Sequence, residues 1–340
     1  MDHLAQNTYP KHLLHHLALK QDENDEAETF RPIDLHCLHP ELTAHCDLYL
    51  KIRLTSRYTL FARKGLAFSP RDRQNMLDSG VEELYIREED SEIFFRYLKD
   101  ALTRVVRDPN CPSETKAHFV HAACRDIMTK VYTDPRASFI TQAHEMLAPT
   151  VDLVVNDDRA TRCLVQLTAH DVSTYTHCTN VGIFSIALTK ILYGDSADHD
   201  LHKLSAGFFL HDLGKCKVPL EILNKPGKLD QQEWEVMQTH PQLGYELLEQ
   251  TGHMTDEARI IILEHHEKDD GTGYPNGLEA RDIHPYARIC RLADVYEALT
   301  SDRPYHTRQN TFDALKLMKN HVLADIDQQL FTHFVKLFRL

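Results

Sequence analysis

Phe208-Phe209-Leu210-His211-Asp212-Leu213-Gly214-Lys215 runs from the apolar end of a helix into an adjacent imidazole and carboxylate. A glycine that permits a tight exit and a lysine follow. A neighbouring nitrogen and oxygen donor at a helix end can bind one metal together, or the carboxylate can bridge two. An isolated His-Asp pair is more readily a surface ion pair, so the rest of the chain has to decide. His177 opens an apolar helical stretch containing Val181, Phe184 and Leu188. His240 begins His-Pro-Gln-Leu-Gly, His265-His266 precede Glu267, and Asp294 follows the apolar Ile289 and Leu292. Each alone reads as a core histidine, a helix-start histidine or a solvated charge. Together they supply five imidazoles and two carboxylates, a set suited to two five- or six-coordinate transition metals completed by water.

A second stretch, His265-His266-Glu267-Lys268-Asp269-Asp270-Gly271-Thr272-Gly273-Tyr274-Pro275, strengthens the case. Adjacent residues on a regular helix point apart, but at an unwound helix end both rings can reach one centre. Gly271 and Gly273 admit unusual backbone angles, and Pro275 fixes the exit. A polar loop would explain the Asp and Gly residues but not the paired histidines or the ordered Gly-Tyr-Pro.

With these residues in view, the chain from roughly residue 145 to its C-terminus resembles the HD-GYP family, a branch of the HD phosphohydrolases. The resemblance is carried by His211-Asp212-Leu213-Gly214-Lys215, His265-His266-Glu267-Lys268 and Gly273-Tyr274-Pro275. It extends to His240-Pro241-Gln242-Leu243-Gly244, Asp294-Val295-Tyr296-Glu297-Ala298 and Asp302-Arg303-Pro304-Tyr305. It implies an all-α bundle with a metal centre in its middle. His177, His211, Asp212 and Asp294 would hold one ion, His240, His265 and His266 the second, with Asp212 bridging. Iron or manganese is the expected occupant. The implied reaction is hydrolysis of cyclic di-GMP to linear pGpG and onward to GMP, by a hydroxide shared between metals about 3.5–4 Å apart. Lys215, Tyr274, Arg303 and His306 would face the substrate.

Some of these roles stay open. Lys215 either offsets charge growing on the phosphoryl oxygens or forms a structural ion pair. Tyr274 either meets the ligand or packs on Pro275. Arg303 suits a bidentate contact to phosphate or guanine, or sits at a helix end on the surface. Two departures from the family pattern stand out. Ser173 occupies a position one turn before the first histidine ligand where some members carry a glutamate for a third metal, and Asp171 lies further back, so two metals are expected. His306 stands where a basic residue is frequent, which weakens phosphate binding above its pKa. Competing functions are a non-catalytic cyclic dinucleotide receptor, and an HD hydrolase acting on cyclic GMP-AMP or another nucleotide phosphoester.

Composition fits this reading. The 340 residues, 42% apolar, are enough for two domains. A formal charge of −13, from 38 basic and 51 acidic side chains, opposes non-specific binding to DNA, RNA or anionic lipid. Twenty-three histidines are a surplus whose positions matter more than their number. Apolar runs are too short to span a bilayer and no secretory signal is visible, so a cytoplasmic protein is expected. The eight cysteines show no CxxC pair and are expected to be reduced packing residues. This includes Cys37 and Cys46, whose proximity to His36, His39 and His45 reads as incidental.

Upstream of the helical region the pattern changes. Residues 1–30 read as a flexible acidic arm. Residues 31–107 read as a small α+β domain for regulation or dimerisation. Within it, Leu48, Leu50 and Ile52 alternate and Tyr58 to Phe61 is β-prone, which predicts a hairpin ending near Gly65. Ser69-Pro70 starts a short helix stopped by Gly80, Val81 to Ile86 forms a strand, and Asp90 to Val106 a longer helix. Asp108-Pro109-Asn110-Cys111-Pro112 breaks the chain. A helical linker over 108–145 then leads to the catalytic domain, 146–340, with Ser113 capping its first helix and Asp134-Pro135 interrupting it. A homodimer would form through the N-terminal domain or the linker helices.

Overall fold

A computed structural model describes residues 29–39, 42–52, 57–66, 69–170, 176–194, 196, 198–301, 308–322 and 327–338. The expected arm up to residue 28, together with Asp171, Ser173, Arg303 and His306, lies outside the described residues. The chain divides into two compact units, Met1–Arg107 and Asp108–Leu340. The first is a small α+β domain and the second is helical, the class expected from the sequence.

In the first unit, β1 (Phe30–Asp34), β2 (Leu48–Ile52), β3 (Arg57–Ala62) and β4 (Glu83–Arg87) form one antiparallel sheet in the order β1-β4-β2-β3. The hairpin falls where alternation places it, with Leu50 opposite Thr59, and Gly65 takes a φ of 85° beyond it. The predicted short helix is α1 (Pro70–Asp78). Ser69 caps it by accepting from the Asp72 amide, and Gly80 at φ 73° closes it. Strand β4 starts at Glu83 instead of Val81. Helix α2 (Ser91–Arg107) buries Phe94, Phe95, Leu98 and Leu102, while Leu84 and Ile86 are buried on the sheet. Cys37 and Cys46 belong to this core, and burial, the largest influence on it, pushes the Cys46 thiol up to about 12.

The second unit begins with α3 (Ser113–Thr133), α4 (Ala137–Asn156) and α5 (Asp158–His170). Ser113 is not a cap. It is the first helical residue, and its hydroxyl donates to Asp157, which caps α5 by accepting from the Ala160 amide. Residues 113–133, expected to link, bury Phe119, Val120, Ile127 and Val131 within the helical unit and pack against α5.

The bundle continues with α6 (His177–Tyr193), α7 (Leu201–Leu210), a 3₁₀ turn over Leu213–Lys217, α8 (Leu220–Leu223), α9 (Gln231–Met237), α10 (His240–Glu249) and α11 (Asp256–Glu264). It ends with α12 (Pro285–Thr300), α13 (Thr311–Leu317) and α14 (Gln328–Lys336). Helices α6 and α7 are apolar and buried on nearly every side, as central helices must be. Two glycines let them approach their neighbours. A Cβ on Gly182 of α6 would meet the Phe209 ring of α7 within 2.7 Å, and one on Gly207 of α7 would lie 2.9 Å from the Ala258 Cα of α11. Helix α12 packs on α6. Among the described residues no helix is long and apolar enough to cross a membrane.

Candidate metal centre

The ends of the central helices place the donors. Helix α7, capped by Asp200, runs out at Leu210, so His211 is its C-cap and Asp212 turns into the 3₁₀ segment. His177 is the first residue of α6, and His240 the first of α10, where Pro241 needs no hydrogen-bonded N–H. Helix α11 ends at Glu264, so His265 and His266 fall where the helix unwinds, with ring centroids 4.2 Å apart. Asp294 comes from the middle of α12.

These side chains converge on Asp212. Its Oδ2 lies 3.3 Å from His177 Nε2 and 3.5 Å from His211 Nε2; its Oδ1 lies 3.2 Å from His240 Nε2 and 3.6 Å from His265 Nε2. Asp294 Oδ1 is 3.2 Å from His177 Nε2. The donor atoms fall into two groups, each within 4.8 Å: one with His177, His211 and Asp212, the other with Asp212, His240, His265 and His266. Asp212 belongs to both.

Which ring nitrogen faces the centre follows from the other nitrogen's partner. The Nδ1–H of His211 donates to the Phe208 carbonyl at 3.0 Å, that of His240 to Met237 at 2.8 Å, and that of His265 to Ile262 at 2.9 Å. His177 Nδ1 is paired with Glu297. Each carbonyl tether fixes the proton on Nδ1 and leaves a lone pair on the inward Nε2 of His211, His240 and His265. His240 and His265 therefore aim lone pairs at one another across 3.3 Å, a repulsion that a cation between them relieves. The Nε2 atoms of His177, His211 and His266 and Oδ1 of Asp212 are buried without a hydrogen-bond partner. Such orphaned donors are costly unless something completes them, so the residues fit a divalent metal site.

The electrostatics agree. Burial holds the His211 imidazole down at about 3 and is the main cause lowering His240 and His266 as well, which keeps these rings in the neutral, ligating form. Burial would raise Asp212, but Lys215 and the nearby imidazoles outweigh it and hold the carboxyl well below the usual range. Asp294 is likewise ionised despite burial, through His177 above all. At His177 burial is outweighed by Glu297, Asp212 and Asp294, which hold the imidazole well above its ordinary range.

The expected substrate-facing residues divide. Lys215 Nζ is 2.5 Å from Asp212 Oδ2, the ion-pair arrangement, with its side chain still partly open to solvent. Tyr274 stacks on His266, centroids 4.6 Å apart, beside the metal group. One cysteine departs from the expectation of packing alone: Cys178 Sγ lies in the same donor group as His177, His211 and Asp212. Burial raises its thiol to about 12, and it donates to the Tyr132 hydroxyl at 3.0 Å.

Two carboxylates were not singled out from the sequence. Glu267, fully buried, accepts from the amides of Asn276 at 2.7 Å and Leu278 at 2.9 Å, and so folds the Gly-Tyr-Pro loop around itself. Gly273 is needed there, because a Cβ would come 2.5 Å from the Glu267 Cα. Glu297 orients His177; one turn beyond Asp294 on α12, its spacing would have revealed it. Glu297→Gln should weaken metal binding roughly 10–100-fold, the usual cost of losing a carboxylate behind a ligand histidine. A competition titration against a chromogenic chelator would measure this, and unchanged affinity would show that Glu297 does not tune the site.

Comparisons with known proteins fall on the same region of the chain. Positions 167–330 match the HD domain family. The chain is 38% identical over 183 residues to a cyclic di-GMP phosphodiesterase of Pseudomonas aeruginosa, covering 54% of this chain and 44% of that protein. It is 34% identical over 189 residues to a 3′3′-cGAMP-specific phosphodiesterase of Vibrio cholerae, covering 54% and 40%. The chain thus spans less than half the length of these relatives. In three dimensions it is similar to an HDG"Y"P protein from Bdellovibrio bacteriovorus, with a TM-score of 0.67 at 19% identity over 92% of this chain and all of the other, a likeness of fold.

Proposed function

We propose that the chain, whose residues 167–330 match the HD domain family, is a metal-dependent phosphodiesterase of the HD-GYP type that cleaves a cyclic dinucleotide, cyclic di-GMP foremost. The observation that carries this reading is the convergence of inward Nε2 atoms on the shared carboxylate of Asp212, with each tethered Nδ1 directed away. His177, His211, Asp212 and Asp294 would hold one divalent ion and His240, His265 and His266, with Asp212, a second; iron or manganese suits this mixed imidazole and carboxylate set. When bound, such ions supply Lewis acidity and activate water for attack on phosphorus.

The protein's own groups do the rest. Asp212 keeps the two halves of the site in register. Lys215 holds Asp212 in place and presents its ammonium where charge grows on the phosphoryl oxygens. Tyr274 offers a ring face beside the scissile bond. Arg303 and His306 would contact phosphate or base, and the first unit would regulate or dimerise. The product would be the linear dinucleotide, with GMP from a second cleavage.

The relatives include enzymes named for cyclic di-GMP and for 3′3′-cGAMP, so substrate choice is part of the test. Anaerobically purified protein, reconstituted with Fe(II) or Mn(II), is expected to convert cyclic di-GMP to pGpG, followed by chromatography, and to lose that activity on chelation. Tight binding without product would indicate a receptor. Faster turnover of a cyclic GMP-AMP or of a mononucleotide ester would reassign the substrate.

A further inference from the structure

Trp234, the chain's single tryptophan, leaves 42% of its surface exposed, although an indole is among the most valuable side chains to bury. It is held in place. Helix α9 is closed by a reciprocal capping box between Asp230 and Glu233, and Lys225 pairs with Glu233 at 2.6 Å. Its indole meets Tyr274 edge-on with centroids 5.7 Å apart, and Tyr274 in turn stacks on His266 at 4.6 Å. A ladder of rings therefore leads from the metal group to an open aromatic face in two steps.

Arg291 is the second observation. It lies on α12 one turn before Asp294, on the same side of the helix, and is partly buried. Its Nε is buried with no hydrogen-bond partner. Burial above all pushes the Tyr274 phenol up, and the Arg291 charge acts against that rise. A desolvated guanidinium nitrogen left unsatisfied one helical turn from a carboxylate of the metal centre calls for a ligand that brings an acceptor.

Resting on the phosphodiesterase reading above, we propose that Trp234 and Arg291 form the purine-recognition side of the site. A base flanking the scissile phosphate stacks on the indole, and Arg291 pairs with the O6/N7 edge of guanine. The two residues divide the labour. Stacking tolerates any base, because every base has a π face. The guanidinium discriminates, since guanine offers two acceptors on that edge whereas adenine offers one acceptor and a donor that opposes Arg.

Steady-state kinetics on the full, Mn(II)-loaded chain with cyclic di-GMP and cyclic di-AMP test both roles. Trp234→Leu keeps an apolar contact to Tyr274 but removes the flat face. It should raise KM for cyclic di-GMP by roughly 5–150-fold, the range that base stacking spans, with kcat changed by less than about threefold. Trp234→Phe should recover most of the loss. Arg291→Ala should cut the preference in kcat/KM for cyclic di-GMP over cyclic di-AMP at least about tenfold, mostly by slowing the guanine substrate. Unchanged KM in Trp234→Leu removes the stacking role, and an unchanged purine preference in Arg291→Ala removes the recognition role; both results leave the phosphodiesterase reading standing. A metal-loaded wild type that hydrolyses none of cyclic di-GMP, cyclic di-AMP and cyclic GMP-AMP overturns that reading and this inference together.

Discussion

Asp212→Ala is expected to abolish turnover and strip most of the metal from the protein while leaving a soluble, helical bundle. Asp212 is 2% exposed and stands within 3.6 Å of a side-chain nitrogen on each of His177, His211, His240, His265 and Lys215. Without it, the two donor groups no longer share an atom, and the inward lone pairs of His240 and His265 face each other with no anion to attract a cation between them. The expected loss in kcat/KM is roughly a thousandfold or more, larger than for removing one hydrogen-bond donor to a reacting centre because metals and positioning fail together. Lys215 keeps part of its surface in water, so its ammonium can turn outward after losing its partner, which limits the damage to the fold. Asp212→Asn, closer in shape, separates charge from volume: it should keep the thermal transition near wild type and still lose metal. Turnover near wild type by a metal-replete Asp212→Ala preparation would remove Asp212 from the centre, and with it the two-group arrangement.

The donor set was legible in the sequence for a local reason. Each candidate ligand sits at or beside the first or last residue of a helix, or on an apolar helical face, and those positions carry short-range marks: the apolar run before His211, Pro241 after His240, the glycines after His265-His266. The first hairpin and α1 were legible likewise, through alternation and through Ser69-Pro70. What escaped depends on partners distant in the chain. Strand β1 contains Pro32, which spoils a strand pattern, yet it is tolerated because β1 is an edge strand pairing only with β4. Ser113 has the composition of a cap, but its hydroxyl is claimed by Asp157, 44 residues away. Residues 113–133 read as a linker because their burial is created by α5, which the local pattern cannot announce. Glu267 and Glu297 resemble solvated charges in sequence; only the loop amides and the His177 ring make them structural.

Gly214 illustrates the same dependence, and its substitution should have the second largest effect. The 3₁₀ turn after Asp212 packs directly on the start of α10. A Cβ on Gly214 would collide with the carbonyl oxygen of His240 and come 2.5 Å from the amide nitrogen of Gly244, both backbone atoms of α10 that cannot rotate aside. Relief requires the turn and the helix to separate, which moves His240 away from Asp212, now 3.2 Å distant. Overpacking of this kind costs about 1–3 kcal/mol. In a unit of this size that corresponds to a fall in Tm of roughly 2–4 °C per kcal/mol. Activity should suffer more than stability, since displacing a ligand by about 1 Å can cost on the order of a hundredfold in rate. Gly214→Ala should therefore melt several degrees early, bind close to half the wild-type metal because the His240 group is the one disturbed, and turn over at a percent or so of the normal rate. Gly244→Ala offers a graded comparison: its Cβ would lie 3.0 Å from the Gly214 amide nitrogen, a contact that a small shift accommodates, so its losses should be milder in every measurement. If Gly214→Ala instead kept full metal content and full activity, the close seat of the His-Asp turn on α10 would not be what sets the distance between the two halves of the site.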